Sequence, residues 1–76
     1  MGRLPTKETF KKKLGKHITE MRERAGLSQE DLAFKCDKDK QNLNRLEKGR
    51  INPSAFYLAE IAAGLGMPLK DLFDFE

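Results

Sequence analysis

The sequence predicts an all-α domain of five short helices. Apolar residues recur at steps of three and four along most of its 76 residues, and no stretch alternates apolar with polar residues as a half-buried strand would. A glycine, a proline, a capping hydroxyl or the short acidic turn Asp37-Lys38-Asp39 separates each periodic segment from the next. A chain of this length buries only about 60% of the surface it exposes when unfolded, so one core and one domain, residues 1–76, are expected.

Phe10, Leu14, Ile18, Met21 and Ala25 form the first amphipathic stripe and predict helix 1 over about 7–25. Thr6 is placed to cap it and Gly26 to end it in the left-handed conformation, while residues 1–6 read as a flexible N-terminus. Ser28 stands three residues ahead of Asp31, with Leu27 before it, which is the pattern of a capping box with a hydrophobic staple. Helix 2 therefore starts here, turns Leu32, Ala33 and Cys36 inward and stops at about Cys36. Asp37-Lys38-Asp39 reads as a tight turn, because short acidic side chains cap backbone donors and tolerate turn conformations. Helix 3 runs from about Lys40 to Lys48, buries Leu43 and Leu46, and closes at Gly49. Ser54 caps helix 4, whose stripe is Ala55, Leu58, Ile61, Ala62 and Leu65 and whose end is Gly66. Pro68 fits only near a helix start, so 68 to about 74 is expected to be a fifth helix docking Leu69, Leu72 and Phe73.

Composition excludes several functions. One Cys forms no internal disulfide, and one Cys with one His cannot furnish a zinc site. Cys36 is read as a small apolar filler of helix 2 and His17 as solvated. The two serines, Ser28 and Ser54, are both used as caps, leaving no activated nucleophile and no catalytic residue to nominate. No metal, cofactor or small-molecule ligand is expected. No apolar run approaches the roughly 18 residues of a membrane span, and Met1-Gly2-Arg3-Leu4-Pro5 lacks the apolar core of a secretion signal, so a cytoplasmic protein is expected. Residues 1–50 carry 14 Lys/Arg against 8 Asp/Glu, whereas 51–76 carry only Lys70 against 4 acids. The basic half is the one a polyanion would meet.

A helix-turn-helix needs two short helices joined by about three residues, a small residue where they cross, and apolar anchors in the second helix. Gln29, Ala33, Leu43 and Leu46 supply these over about 28–48. With Leu43 and Leu46 fixing the roll of helix 3, Lys40, Gln41, Asn44 and Arg45 point outward together. Such a face suits the major groove, where Gln or Asn pairs with adenine and Arg or Lys with guanine.

Three blocks make the pattern far more specific: Leu27-Ser28-Gln29-Glu30-Asp31-Leu32-Ala33, Arg45-Leu46-Glu47-Lys48-Gly49 and Asn52-Pro53-Ser54. In this order and spacing they resemble the phage-repressor/Cro helix-turn-helix family, also called lambda repressor-like or xenobiotic-response-element, over about residues 12–73. The resemblance implies a five-helix DNA-binding domain that puts helix 3 into the major groove of double-stranded DNA, and a transcription regulator, a repressor at an inverted-repeat operator. It implies that Gln29 touches a phosphate and braces helix 3, that Lys38, Lys40, Gln41, Asn44 and Arg45 contact bases or the adjoining backbone, and that Lys48 and Arg50 approach phosphates. It also pairs Arg22 with Glu47 as a largely buried salt bridge, and implies a homodimer through the fourth and fifth helices. Phe56, Tyr57, Met67 and Phe75, with Phe73, put more apolar surface there than a small core needs, and are the candidate dimer interface. The alternative is a protein-interaction module, such as a toxin-antitoxin regulatory subunit or an adaptor, working through this aromatic surface.

The sequence departs from the family pattern in the turn, where Asp37 and Lys38 replace a glycine and an aliphatic residue. A looser turn is expected, with Lys38 directed outward, and Asp39 in place of the usual hydroxyl cap. Phe56 occupies a position that is usually polar, and Pro68 replaces a hydroxyl cap.

Overall fold

The computed structural model describes residues 6–75; apart from Thr6, the expected flexible N-terminus lies outside the described residues. Four α-helices follow one another, α1 (Lys7–Arg24), α2 (Gln29–Cys36), α3 (Lys40–Glu47) and α4 (Ala55–Leu65), and a 3-10 segment spans Leu69–Phe73. There is no strand among the described residues. The expected fifth α-helix is thus a single 3-10 stretch, held by three-residue bonds from Asp71 N–H to the Pro68 carbonyl and from Asp74 N–H to the Asp71 carbonyl. Pro68 precedes it in an extended conformation and offers no side-chain cap, so no longer helix is nucleated there.

The helix starts follow local chemistry. Thr6 Oγ1 accepts from Thr9 N–H and Ser54 Oγ from Tyr57 N–H. Ser28 and Asp31 form the reciprocal capping box, which also holds the Asp31 carboxyl below its usual range because the Ser28 backbone N–H, and then its hydroxyl, bond to the ionised form. Asp39 departs from expectation: it occupies the cap position of α3 but its side chain makes no cap bond.

Among the described residues, the largest fully buried side chains are Leu14, Ile18, Leu32, Leu43, Leu46, Ile61 and Leu72. They join α1, α2, α3, α4 and the 3-10 segment in one cluster, within which α1 lies on α3 and α2 on both α3 and α4. Two small residues set how closely the helices cross. A Cβ on Gly15 would stand 2.5 Å from the carbonyl oxygens of Leu46 and Glu47, so the backbones of α1 and α3 are nearly in contact. A Cβ on Gly64 would run into Cys36 Sγ, which fills the α2–α4 crossing; burial pushes this thiol's pKa up.

Several expected core positions differ. Ala25 and Ala55 are exposed because each sits at a helix end beyond the packed turns. Of the three residues expected to dock from this segment, Leu72 is fully buried and Leu69 packs against the core, but Phe73 is 44% exposed. His17 is not simply solvated: its Nε2 donates to the Asp71 carbonyl at 2.8 Å and its ring packs 5.6 Å from that of Phe75.

Candidate nucleic-acid interface

Leu43 and Leu46 are buried, at 0% and 1% exposure, and fix the roll of α3. Lys40, Gln41 and Arg45 are consequently exposed and Asn44 half-buried, on one outward face. Gln29 from the start of α2 and Arg50 from the loop after α3 join these four around one shallow concavity. Lys48 is exposed just beyond the last turn of α3. Among the described residues, Lys40, Arg45, Lys48 and Arg50 enter no ion pair, so four cations stay available to an anionic partner.

Lys38 does not join them. Its Nζ lies 2.7 Å from Glu60 Oε1 on α4 and 5.5 Å from the centre of the Tyr57 ring, and the carboxylate raises its pKa. The expected outward-facing Lys38 is therefore corrected: the turn folds it back along α4. The expected looseness of the turn is corrected as well. Asp37 takes the left-handed conformation (φ 56°), and Asp37 N–H and Lys38 N–H donate to the Phe34 and Ala33 carbonyls at 3.2 and 2.8 Å. These are the two bonds of a closed Schellman motif.

Behind the outward face runs a polar network. Arg22 Nε and Nη2 donate to Glu47 Oε2 and Oε1 at 2.7 and 3.1 Å, and Arg22 Nη1 donates to the Leu27 carbonyl at 2.7 Å. The side chains of Arg22 and Glu47 are 11% and 4% exposed, and the hydrogen bond to Glu47 holds the guanidinium pKa up against burial. Removing one partner of such a buried pair costs about 3–5 kcal/mol, because the other charge is left unpaired. Gln29 Nε2 donates to the same Glu47 Oε1 at 2.9 Å, and Asn44 Nδ2 donates to Gln29 Oε1 at 3.2 Å. The bracing of α3 by Gln29 runs through Glu47 and Asn44.

The aromatic residues divide differently from expectation. Phe56 is 73% exposed, but Tyr57 and Met67 are half-buried against the core, and Phe75 stacks 5.9 Å from Phe10 within the same chain. Phe34 on α2, at 87% exposure, was not singled out by the sequence pattern. Its one available signal is a large apolar residue between the inward Ala33 and Cys36 on the outer side of a short helix. Gly15 and Glu60 were also missed. Gly15 lies inside a helical pattern, where an unexplained glycine signals a close approach.

A family model described as helix-turn-helix matches residues 18–72. The chain is 36% identical over 62 residues to the control protein C.BamHI of Bacillus amyloliquefaciens, covering 80% of this chain and 76% of that one. The restriction-modification controller protein C.AhdI from Aeromonas hydrophila superposes with a TM-score of 0.80 at 34% identity, over 82% of this chain and 94% of that one. The restriction-modification controller protein C.Esp1396I, solved as a tetramer with its natural 35-base-pair operator, superposes with a TM-score of 0.77 at 28% identity over 83% of each chain.

Proposed function

Because the chain belongs to the helix-turn-helix family, we propose that it is a DNA-binding transcription regulator, a cytoplasmic repressor that docks α3 in the major groove of an inverted-repeat operator. The observation that carries this reading is the shared outward face of Lys40, Gln41, Asn44 and Arg45, with Lys48 and Arg50, which enter no ion pair among the described residues, at its edge. The first four offer hydrogen-bonding groups suited to base edges, and the last two offer charge suited to phosphates. The likeness to controller proteins, one of them an operator-bound tetramer, supports a homodimer as the binding unit.

Selection from a random duplex pool, followed by binding measurements across a salt series, tests this. Arg45→Ala or Gln41→Ala is expected to cost about 1–3 kcal/mol at the selected site and to relax base choice there. Lys48→Ala or Arg50→Ala is expected to weaken binding to all sequences and to flatten the salt dependence by about one charge each. Equal losses on selected and random duplexes for all four variants would contradict the assignment.

A further inference from the structure

A Cβ on Gly49 would stand 2.9 Å from Lys12 Cα and 3.0 Å from Lys12 Cγ, so the backbone and stem of Lys12 lie directly over this residue. Gly49 is buried, while its two neighbours, Lys48 and Arg50, are exposed on either side of it. Lys12 is exposed as well, since a lysine whose stem lies along the protein still carries its ammonium into water. Three cations from two elements are thus gathered around one glycine. No carboxylate answers them. Lys12, Lys48 and Arg50 enter no ion pair among the described residues, and the acids closest to them in sequence are engaged elsewhere: Glu8 with Lys11 at 3.4 Å, and Glu47 with Arg22 at 2.7 Å. The first acid after Lys48 is Glu60, which Lys38 holds at 2.7 Å. Like charges gathered in this way repel one another, and a polyanion turns that repulsion into attraction.

The run Lys11-Lys12-Lys13 is therefore not one uniform basic face. Lys11 is spent on Glu8, and Lys13 lines a separate concavity with His17, Glu20 and Phe75. Only Lys12 adjoins the phosphate-facing edge of α3. We propose that Lys12 extends the DNA-binding surface from the helix-turn-helix onto the first turns of α1, where with Lys48 and Arg50 it holds neighbouring phosphates of the duplex backbone. Lys12 precedes the matched region, residues 18–72, so the family likeness does not supply this contact. Phosphates of one strand follow one another every 3.4 Å or so along the helix axis, a spacing that a row of adjoining cations can track. Such a contact fixes register and adds affinity while carrying no base information. The assignment rests on the reading of α3 as the groove-entering helix, because that docking is what brings the Lys48–Arg50 edge to the backbone.

The test is a scan of a selected duplex in which one phosphate at a time is replaced by an uncharged methylphosphonate, with the full chain and its variants as binders. Lys12→Met removes the charge and keeps an apolar stem over Gly49, and Lys12→Arg keeps the charge. The parent should be weakened at several positions. Lys12→Met should become indifferent to one or two of them, next to those at which Lys48→Ala becomes indifferent, and its salt slope should fall by about one. Lys12→Arg and Lys13→Met should retain the parent's pattern. The inference is overturned if Lys12→Met answers every neutralised phosphate as the parent does, whatever its overall affinity, because a charge acting only at a distance couples to no phosphate in particular. It is equally overturned if Lys13→Met loses the same positions, or if those of Lys12 and Lys48 lie apart. Coupling at Lys48 without coupling at Lys12 leaves the reading of α3 standing and removes the extension alone. Should the chain enrich no sequence, base reading by α3 is refuted; the salt slope on random duplex then decides the contact, which survives if Lys12→Met lowers that slope by about one and fails if the slope is unchanged.

Discussion

At the end of α2, Asp37 does the work that glycine does after the other three helices. Gly26, Gly49 and Gly66 all have φ between 72° and 75°, and each is followed by a residue whose N–H reaches back five positions, to the carbonyls of Arg22, Arg45 and Ala62. Asp37, at φ 56°, makes the same closure with a Cβ that crowds the backbone. Asp37→Gly is therefore expected to stabilise the fold by about 1 kcal/mol, read as a rise in urea midpoint with an unchanged slope. A fall in the midpoint would mean that the Asp37 side chain contributes more than its backbone strain costs. At this scale the sequence was most legible, because a cap is a local pattern: Ser28 with Asp31 could be read directly. Asp39 was misjudged because identity alone does not orient a carboxylate. Lys38 was misjudged because its partner, Glu60, lies 22 positions away on a helix whose approach the sequence does not specify.

Between elements, the crossing of α1 and α3 decides where the outward face points. Gly15 brings the two backbones together, and the Arg22–Glu47 pair closes the same interface further along. The apolar stripes could be read from periodicity, and the Arg22–Glu47 pair was expected from the family resemblance. Which element makes the close approach at Gly15 could not be, since a glycine within a helix announces no particular neighbour. Gly15→Ala forces a methyl carbon against the Leu46 and Glu47 carbonyls, both backbone atoms that cannot swing aside. Overpacking of this kind costs about 1–3 kcal/mol, opposite in sign to the gain an alanine brings to an exposed helix site. Gly64→Ala would act on the α2–α4 crossing instead, against Cys36. Thermal unfolding separates the possibilities: a Gly15→Ala protein melting at or above the parent temperature would show that α1 and α3 have room to part.

For the whole molecule, exposed apolar surface is the feature that sequence reasoning handled least well. It depends on what the finished core leaves uncovered. Tyr57, Met67 and Phe75 are partly consumed within the chain, which leaves Phe56 as the largely exposed member of the expected dimer set, alongside Phe34 on a different helix. If two copies join through the start of α4, Phe56 is the anchor, and Phe56→Ser should lower the dimer population in sedimentation at micromolar concentration. Its fold should change little, because a side chain 73% exposed contributes little to the core. Binding to a duplex with two half-sites should then fall far more than binding to a single half-site, since the second contact is lost as an intramolecular event. Phe34→Ser serves as the counterpart, an equally apolar change on α2. Dissociation caused by Phe34→Ser but not by Phe56→Ser would move the interface from α4 to α2, and two recognition helices related through α2 would no longer address half-sites about one DNA turn apart.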